Sequence, residues 1–408
     1  MQALVYRKSI PRYALVKLLG RRFRSVYTCG LPALKLTDVA PPKLPNEKWV
    51  RITPKMAGIC GSDLATICAK GTPYLAPVTS MPFVMGHEVV GVISEVGEDA
   101  GSLHVGDRVV LHPALGCEAR GIEPLCDACS EGRDALCRNV TRGDVSAGLQ
   151  TGFCRDTGGG FSHSFVAHRC QVYKVPDEIG DRAAVLIEPF ACALHAALRV
   201  PLSKTETALV IGCGSIGLLT IAALRATGCQ AKIVAVARHA HQKQLAIKLG
   251  ATELLAGGSW KRQYPAWARV LNAEVLPAEL GKPAVVGGAD VTFDCVASSR
   301  SIDDGIRFTK SGGSFVLAGM PGMPFGIDWT AMWYKELNLR TTYAYGPEHY
   351  GGEVKQTFDI AIELMRSWKD RLVELVSAPF ALPDYRAALR SALNTGTSGV
   401  AKTVFAIE

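Results

Sequence analysis

Between residues 30 and 200 the apolar positions fall in short runs bounded by Gly, Pro and Asp. The runs at 49–52, 89–96, 108–111 and 172–175 predict strands of an antiparallel β domain. Near Pro201 the pattern changes. From 207 to about 345, apolar runs at 207–212, 232–237, 290–295 and 314–318 alternate with helix-period segments at 216–227, 242–250 and 302–310. Such alternation predicts a parallel α/β sheet. A helix pattern at 357–367 and an apolar strand at 400–407 close the chain. The segment 257–288, rich in Trp, Pro and Gly, follows neither period. No repeat of 20–50 residues is visible.

Composition narrows the class. The chain has 408 residues, 48% hydrophobic and 20% charged. That is enough for a large core and about two domains, and it excludes disorder. The 41 Gly and 22 Pro have no triplet period, which excludes a collagen-like chain. A net charge of +8 favours anionic ligands without indicating nucleic acid. Residues 1–30 carry seven Lys/Arg and no acid and read as a basic surface hairpin. Thirteen Cys is an odd count, and no signal-peptide pattern opens the chain. A reducing cytoplasm is therefore expected, where clustered Cys more often means metal than disulfide. The most apolar stretch, 208–224, is cut by Gly212, Gly214 and Gly217, too short for a membrane span, so no membrane partner is expected.

Those glycines have a chemical reading. Gly212-Cys213-Gly214-Ser215-Ile216-Gly217 is G-x-G-x-x-G, directly after an apolar strand and opening a helix. The first Gly permits the tight turn, the second lets a pyrophosphate approach the backbone, and the third lets helix and strand pack closely. Ser215 and Ile216 then stand at a helix N-terminus, whose free N–H groups suit phosphate. About 20 residues on, a carboxylate would bind the ribose 2′-hydroxyl. Here that place is Ala237, followed by Arg238 and His239. Arg238 can pair with a 2′-phosphate, so NADP(H) is expected over NAD(H).

Two metal centres are also indicated. Cys117, Cys126, Cys129 and Cys137 form C-x8-C-x2-C-x7-C in a lobe at about 112–140. Four thiolates close a tetrahedral shell around Zn²⁺ and make a structural clip. The second set is dispersed over Cys60-Gly61-Ser62-Asp63, Gly86-His87-Glu88 and Ile187-Glu188-Pro189. A thiolate, an imidazole and a carboxylate would leave the fourth zinc position for water or substrate.

In these segments the chain resembles the zinc-containing medium-chain dehydrogenase/reductases, which include alcohol, sorbitol and threonine dehydrogenases. The stretch Gly86-His87-Glu88-x2-Gly91-x5-Gly97-x2-Ala100 matches the family's zinc signature. Cys60-Gly61-Ser62-Asp63, the four-Cys lobe, Glu188-Pro189 and the glycine fingerprint follow in the family's order. The resemblance implies an α/β fold: a GroES-like β-rich catalytic domain at 1–202, an inserted Rossmann doubly wound parallel sheet at 203–345, and a return to the catalytic domain at 346–408. It implies two zinc ions per chain, with Cys60, His87 and Glu188 holding the catalytic one. Neighbours in an extended strand point to opposite faces, which places Glu88 behind His87 or makes it a ligand that exchanges with water. Asp63 would orient His87, and Ser62 would take the substrate proton. Lys402 matches a basic position near the cofactor pyrophosphate. The family's usual assembly implies a homodimer or homotetramer.

The implied reaction interconverts a primary alcohol, secondary alcohol or polyol and its carbonyl by hydride transfer with NADP(H). Ala65 stands where liver-type enzymes end their proton relay with His, and Glu188 stands where they have Cys, which tilts the reading toward the polyol and threonine branch. Three alternatives are weighed against it. A metal-free enone or quinone reductase would lack both zinc sets. A formaldehyde dehydrogenase or dismutase would hold its cofactor through turnover. A zinc-ribbon nucleic-acid binder would show a basic stripe interleaved with aromatics, which this chain does not.

Overall fold

In the computed structural model, which describes residues 1–20 and 22–407, the strand Trp49–Gly58 lies inside a seven-stranded sheet. Glu88–Val96 pairs with it antiparallel on one side and Val404–Ala406 on the other. Phe165–His168 pairs with its first half, and Arg108–Leu111 and Val172–Lys174 continue the sheet beyond Glu88–Val96. Val50, Ile52, Phe161, Phe165, Leu111 and Phe405 are buried together in the core beneath it. The register sets Gly58 opposite Glu88 and also opposite Val404. Segments from both ends of the chain thus meet at one point of the sheet.

The second unit is a six-stranded, wholly parallel sheet. Its order is Glu253–Ala256, Lys232–Ala237, Thr207–Ile211, Ala289–Asp294, Thr309–Leu317 and Asn338–Thr341. In chain order these strands run 3-2-1-4-5-6, the dinucleotide-binding arrangement. The central strands are apolar along their length because helices cover both faces of such a sheet. Ser215–Ala226, Ala240–Lys248 and Ser299–Phe308 are the intervening helices seen in the periodicity.

The chain divides into a first unit of Met1–Glu188, Tyr345–Asn394 and the tail from Lys402, and a second of Pro189–Ala344 and Thr395–Ala401. The sequence reading put the first boundary at 202/203. In the structure the helix Ile187–Leu198 straddles the boundary instead. Lys402 begins the tail of the first unit, immediately after seven residues assigned to the second.

Two expectations change. The basic opening segment is not a hairpin: strand Gln2–Tyr6 is followed by helix Ile10–Leu19 and a 3₁₀ turn, Arg24–Tyr27. Pro11 sits in the first helical turn, where it is tolerated, and Val16 and Tyr13 pack with Cys68 and Ala69. The unplaced segment 257–288 forms helix Trp260–Val270 and a hairpin, Ala273–Leu276 with Ala284–Gly287. Pro265 within the helix and its polar outer face hid it from the periodicity. Trp267 and Tyr264 of this helix bury against Phe308, and Tyr264 donates to Asp304 Oδ1 at 2.7 Å. Trp267→Ala should therefore cost about 3–5 kcal/mol, read as a lowered midpoint of thermal unfolding with zinc content unchanged.

Candidate active site

The site begins where Trp49–Gly58 ends. Cys60 caps the short helix Gly61–Ile67, and Asp63 at its third position accepts the Cys60 N–H with Oδ2 at 2.9 Å. The other oxygen, Oδ1, lies 3.7 Å from His87 Nδ1. Both atoms are buried, and neither has a hydrogen-bond partner among the described residues, so the two face each other as an ion pair. One carboxylate therefore fixes the cysteine's helix and the histidine's ring together. His87 Nε2 then faces Ser62 Oγ at 3.5 Å. A carboxylate behind one ring nitrogen is how metal-binding histidines are oriented and made more basic.

Charge reinforces this. Burial penalises the His87 cation, but the anionic character of Asp63 and Cys60 outweighs it and lifts His87 to about 10. Burial raises Asp63 to about 6 despite the opposing pull of His87. The carboxyls and thiol around His87 favour positive charge at this point, as a site for a cation requires.

Donor atoms of Cys60, His87 and Glu88 all lie within 4.8 Å of one another. The alternation expected to part Glu88 from His87 does not operate here. The regular strand starts only at Glu88, and Gly86 before it turns at φ +98°. Glu88 lies against Gly58, where an added Cβ would collide with Oε2. Both its oxygens accept from Lys402 Nζ at 2.7 Å. Lys402 also reaches Ile59 O at 3.3 Å and is buried. The ammonium of Lys402 is thus paired with Glu88 within the first unit. Glu188 is buried and close enough to raise both His87 and Lys402 electrostatically, but it stands outside the group of three.

The four lobe cysteines also converge within 4.8 Å. A Zn–S bond of ~2.3 Å sets tetrahedral S···S edges at about 3.8 Å; Cys117 Sγ and Cys137 Sγ are 3.6 Å apart. Every sulfur receives an N–H. Cys117 N donates to Cys129, Cys126 N to Cys117, Arg138 N to Cys126 and Asn139 N to Cys137, all at 3.3–3.5 Å. Such donors favour thiolate over thiol, and four thiolates without a cation would repel. The donor set fits zinc. A third group, Glu118, His168 and Cys170, was not singled out from the sequence. His168 Nδ1 lies 3.0 Å from Cys170 Sγ, Glu118 is exposed, and burial pushes His168 down to about 4.

In the second unit the glycines stand as their spacing requires. Gly212 has φ +95°, and a Cβ on Gly217 would run into Gly212 O. A Cβ on Gly214 would meet nothing within 4 Å, leaving room for a ligand. Helix Ser215–Ala226 starts there, with Ser215 Oγ donating to Ala401 O at 2.6 Å. Ile216 is in its first turn. Ala237 ends its strand, Arg238 is exposed, and His239 precedes helix Ala240–Lys248.

A cluster of candidate metal-ligating side chains on a β unit and a dinucleotide-type turn on a parallel sheet are the features of an oxidoreductase of the dehydrogenase class. Comparison with known proteins agrees. Residues 46–177 match the alcohol dehydrogenase GroES-like domain, and residues 215–365 match the zinc-binding dehydrogenase domain. The chain is 27% identical over 364 residues to an L-idonate 5-dehydrogenase of Vitis vinifera, with 88% of each chain covered. It is 28% identical over 369 residues to an L-threonine 3-dehydrogenase of Paraburkholderia xenovorans strain LB400, covering 90% of this chain and 94% of that one. The structure of 2R,3R-butanediol dehydrogenase from Bacillus subtilis matches with a TM-score of 0.69 at 25% identity, covering 91% and 96%. The chain belongs to the zinc-type medium-chain dehydrogenase/reductase family.

Because the carboxylate and thiol around His87 favour its protonated form in the metal-free chain, a metal ion bound there would displace that proton. Apparent zinc affinity of the chelator-stripped chain should rise with pH, about tenfold per unit for each proton displaced. Competition titrations against a zinc indicator at about pH 6 to 9 would check this; a flat profile would contradict it.

Proposed function

We propose that this chain is a zinc-dependent, NADP(H)-linked dehydrogenase that interconverts a secondary alcohol or polyol and its carbonyl. The observation that carries the reading is the Asp63–His87–Cys60 arrangement with Ser62 beside it. A bound zinc would supply Lewis acidity toward the substrate oxygen, and a bound nicotinamide would exchange hydride with the substrate carbon. Cys60 and His87 would hold that zinc, with Glu88 or Glu188 as the carboxylate. The four lobe cysteines would hold the second ion.

The chain's own contribution is positioning and proton transfer. Asp63 fixes the ring of His87, so that Nε2 and the Cys60 sulfur face one point. Ser62 Oγ, 3.5 Å from that nitrogen, would relay the proton during oxidation, passing its own proton to water as it takes the substrate's, with the reverse exchange during reduction. Burial of Asp63, His87 and Glu88 keeps water from diluting these interactions. Lys402 holds Glu88 in place as its counter-ion.

Cofactor preference rests on Arg238. It is exposed just beyond Ala237, at the end of the second strand of the fold, with no carboxylate at either position. A guanidinium there favours the 2′-phosphate of NADP(H) over a bare ribose. The outermost strand, Asn338–Thr341, is exposed along its length, and an uncovered sheet edge supports pairing with a second copy.

A screen of polyols, secondary alcohols and 2-hydroxy acids with each nicotinamide, paired with metal analysis, tests the reading. Arg238→Asp should raise the KM for NADP about 10- to 100-fold with little change for NAD. Ser62→Ala should lower kcat about 10²- to 10⁴-fold with metal content intact. A wild-type preference for NAD, or a Ser62→Ala chain of normal kcat, would refute the respective assignment.

A further inference from the structure

The helix Ile10–Leu19 is packed with its apolar side outward. At about 100° per residue, Tyr13, Val16 and Gly20 fall on one side. Val16 and Gly20 are buried there, and Tyr13 packs beside them with its hydroxyl on Gly71 O at 3.1 Å. The opposite side carries Ile10, Ala14, Leu15, Leu18 and Leu19, over roughly half the circumference. Ile10 is 72% exposed, Leu18 71% and Leu15 45%. Phe23, just beyond the helix, is 54% exposed. Hydration of so much aliphatic surface on one convex helix is costly, and isolated exposed leucines do not account for a contiguous stripe.

The charges around this stripe say what covers it. Arg12 and Lys17 fall on its two shoulders, where the helical period puts one cation on each side. Arg7, Lys8, Arg22 and Arg24 stand at its ends, and no acid occurs among the first 30 residues. A second copy of this face would bring like charges together, which disfavours self-association. A single convex helix offers no groove for a partner protein's side chains. Long cationic side chains flanking an aliphatic stripe are suited to an anionic bilayer, where the stripe enters the acyl boundary and the cations reach the headgroups. Among the described residues no helix is long and apolar enough to cross a membrane. We propose that the helix Ile10–Leu19 docks this enzyme peripherally on anionic lipid surfaces.

The test is co-sedimentation of the full chain with vesicles of phosphatidylcholine alone or with phosphatidylglycerol added. The protein should pellet with the phosphatidylglycerol vesicles, much less with phosphatidylcholine, and less as salt rises. Leu15→Glu/Leu18→Glu should weaken this binding about tenfold or more, and Arg12→Gln/Lys17→Gln should weaken it several-fold. Leu15 and Leu18 point to solvent, and Arg12 and Lys17 make only surface contacts, to Gly30 O and the Tyr13 ring, so thermal midpoint and zinc content should not move with the leucine pair, which separates lost docking from lost folding. No binding to the anionic vesicles, or binding indifferent to the leucine substitutions, would overturn the proposal. So would a fall in oligomer size on light scattering of Leu15→Glu/Leu18→Glu, which would assign the stripe to a second copy.

Discussion

The two oxygens of Asp63 hold the first unit's chemistry together. One caps the helix that carries Cys60 and Ser62, and the other stands behind the ring of His87. A single buried carboxylate therefore converts two loops, 24 residues apart in sequence, into one rigid pair of donors. Asp63 is wholly buried and raised toward neutrality by that burial. It stays compatible with the fold because the His87 ring beside it offers a balancing charge. The same principle recurs at Glu88, where a buried carboxylate is matched by Lys402. Removing either member of such a pair leaves the other uncompensated, at a cost of about 3–5 kcal/mol.

The nucleotide unit depends on backbone geometry more than on charge. Gly212 turns left-handed, Gly217 allows the helix to pack on its strand, and Gly214 leaves an open approach. These requirements are local. That is why they are visible in six consecutive residues, whereas the strand order 3-2-1-4-5-6 is set by pairing between distant segments.

Legibility in the sequence follows the same distinction. The glycine turn and the four-Cys lobe could be read because their parts lie close together and their residue types have few other uses. The convergence of Cys60 and His87 needed a family resemblance, since spacing alone does not unite them. The approach of Glu88 to Cys60 and His87 was less legible, because alternation extended back through His87 would part them, whereas Gly86 turns the chain there. The pairing of Lys402 with Glu88 was not legible, because the two lie 314 residues apart and only the register of Val404–Ala406 on Trp49–Gly58 brings them together. The opening helix was missed for another reason. Its buried face consists of little more than Val16 and Tyr13, while its aliphatic residues face solvent, so the usual period points the wrong way. In Trp260–Val270 an internal proline masked the helix signal.

The measurement that bears most directly on the central claim is the zinc content of Cys60→Ala, determined with its turnover and its NADP(H) affinity. The account predicts that one of two tightly held ions is lost, that alcohol oxidation falls to background, and that the nucleotide still binds. A Cys60→Ala chain that kept both its full metal complement and its activity would contradict it.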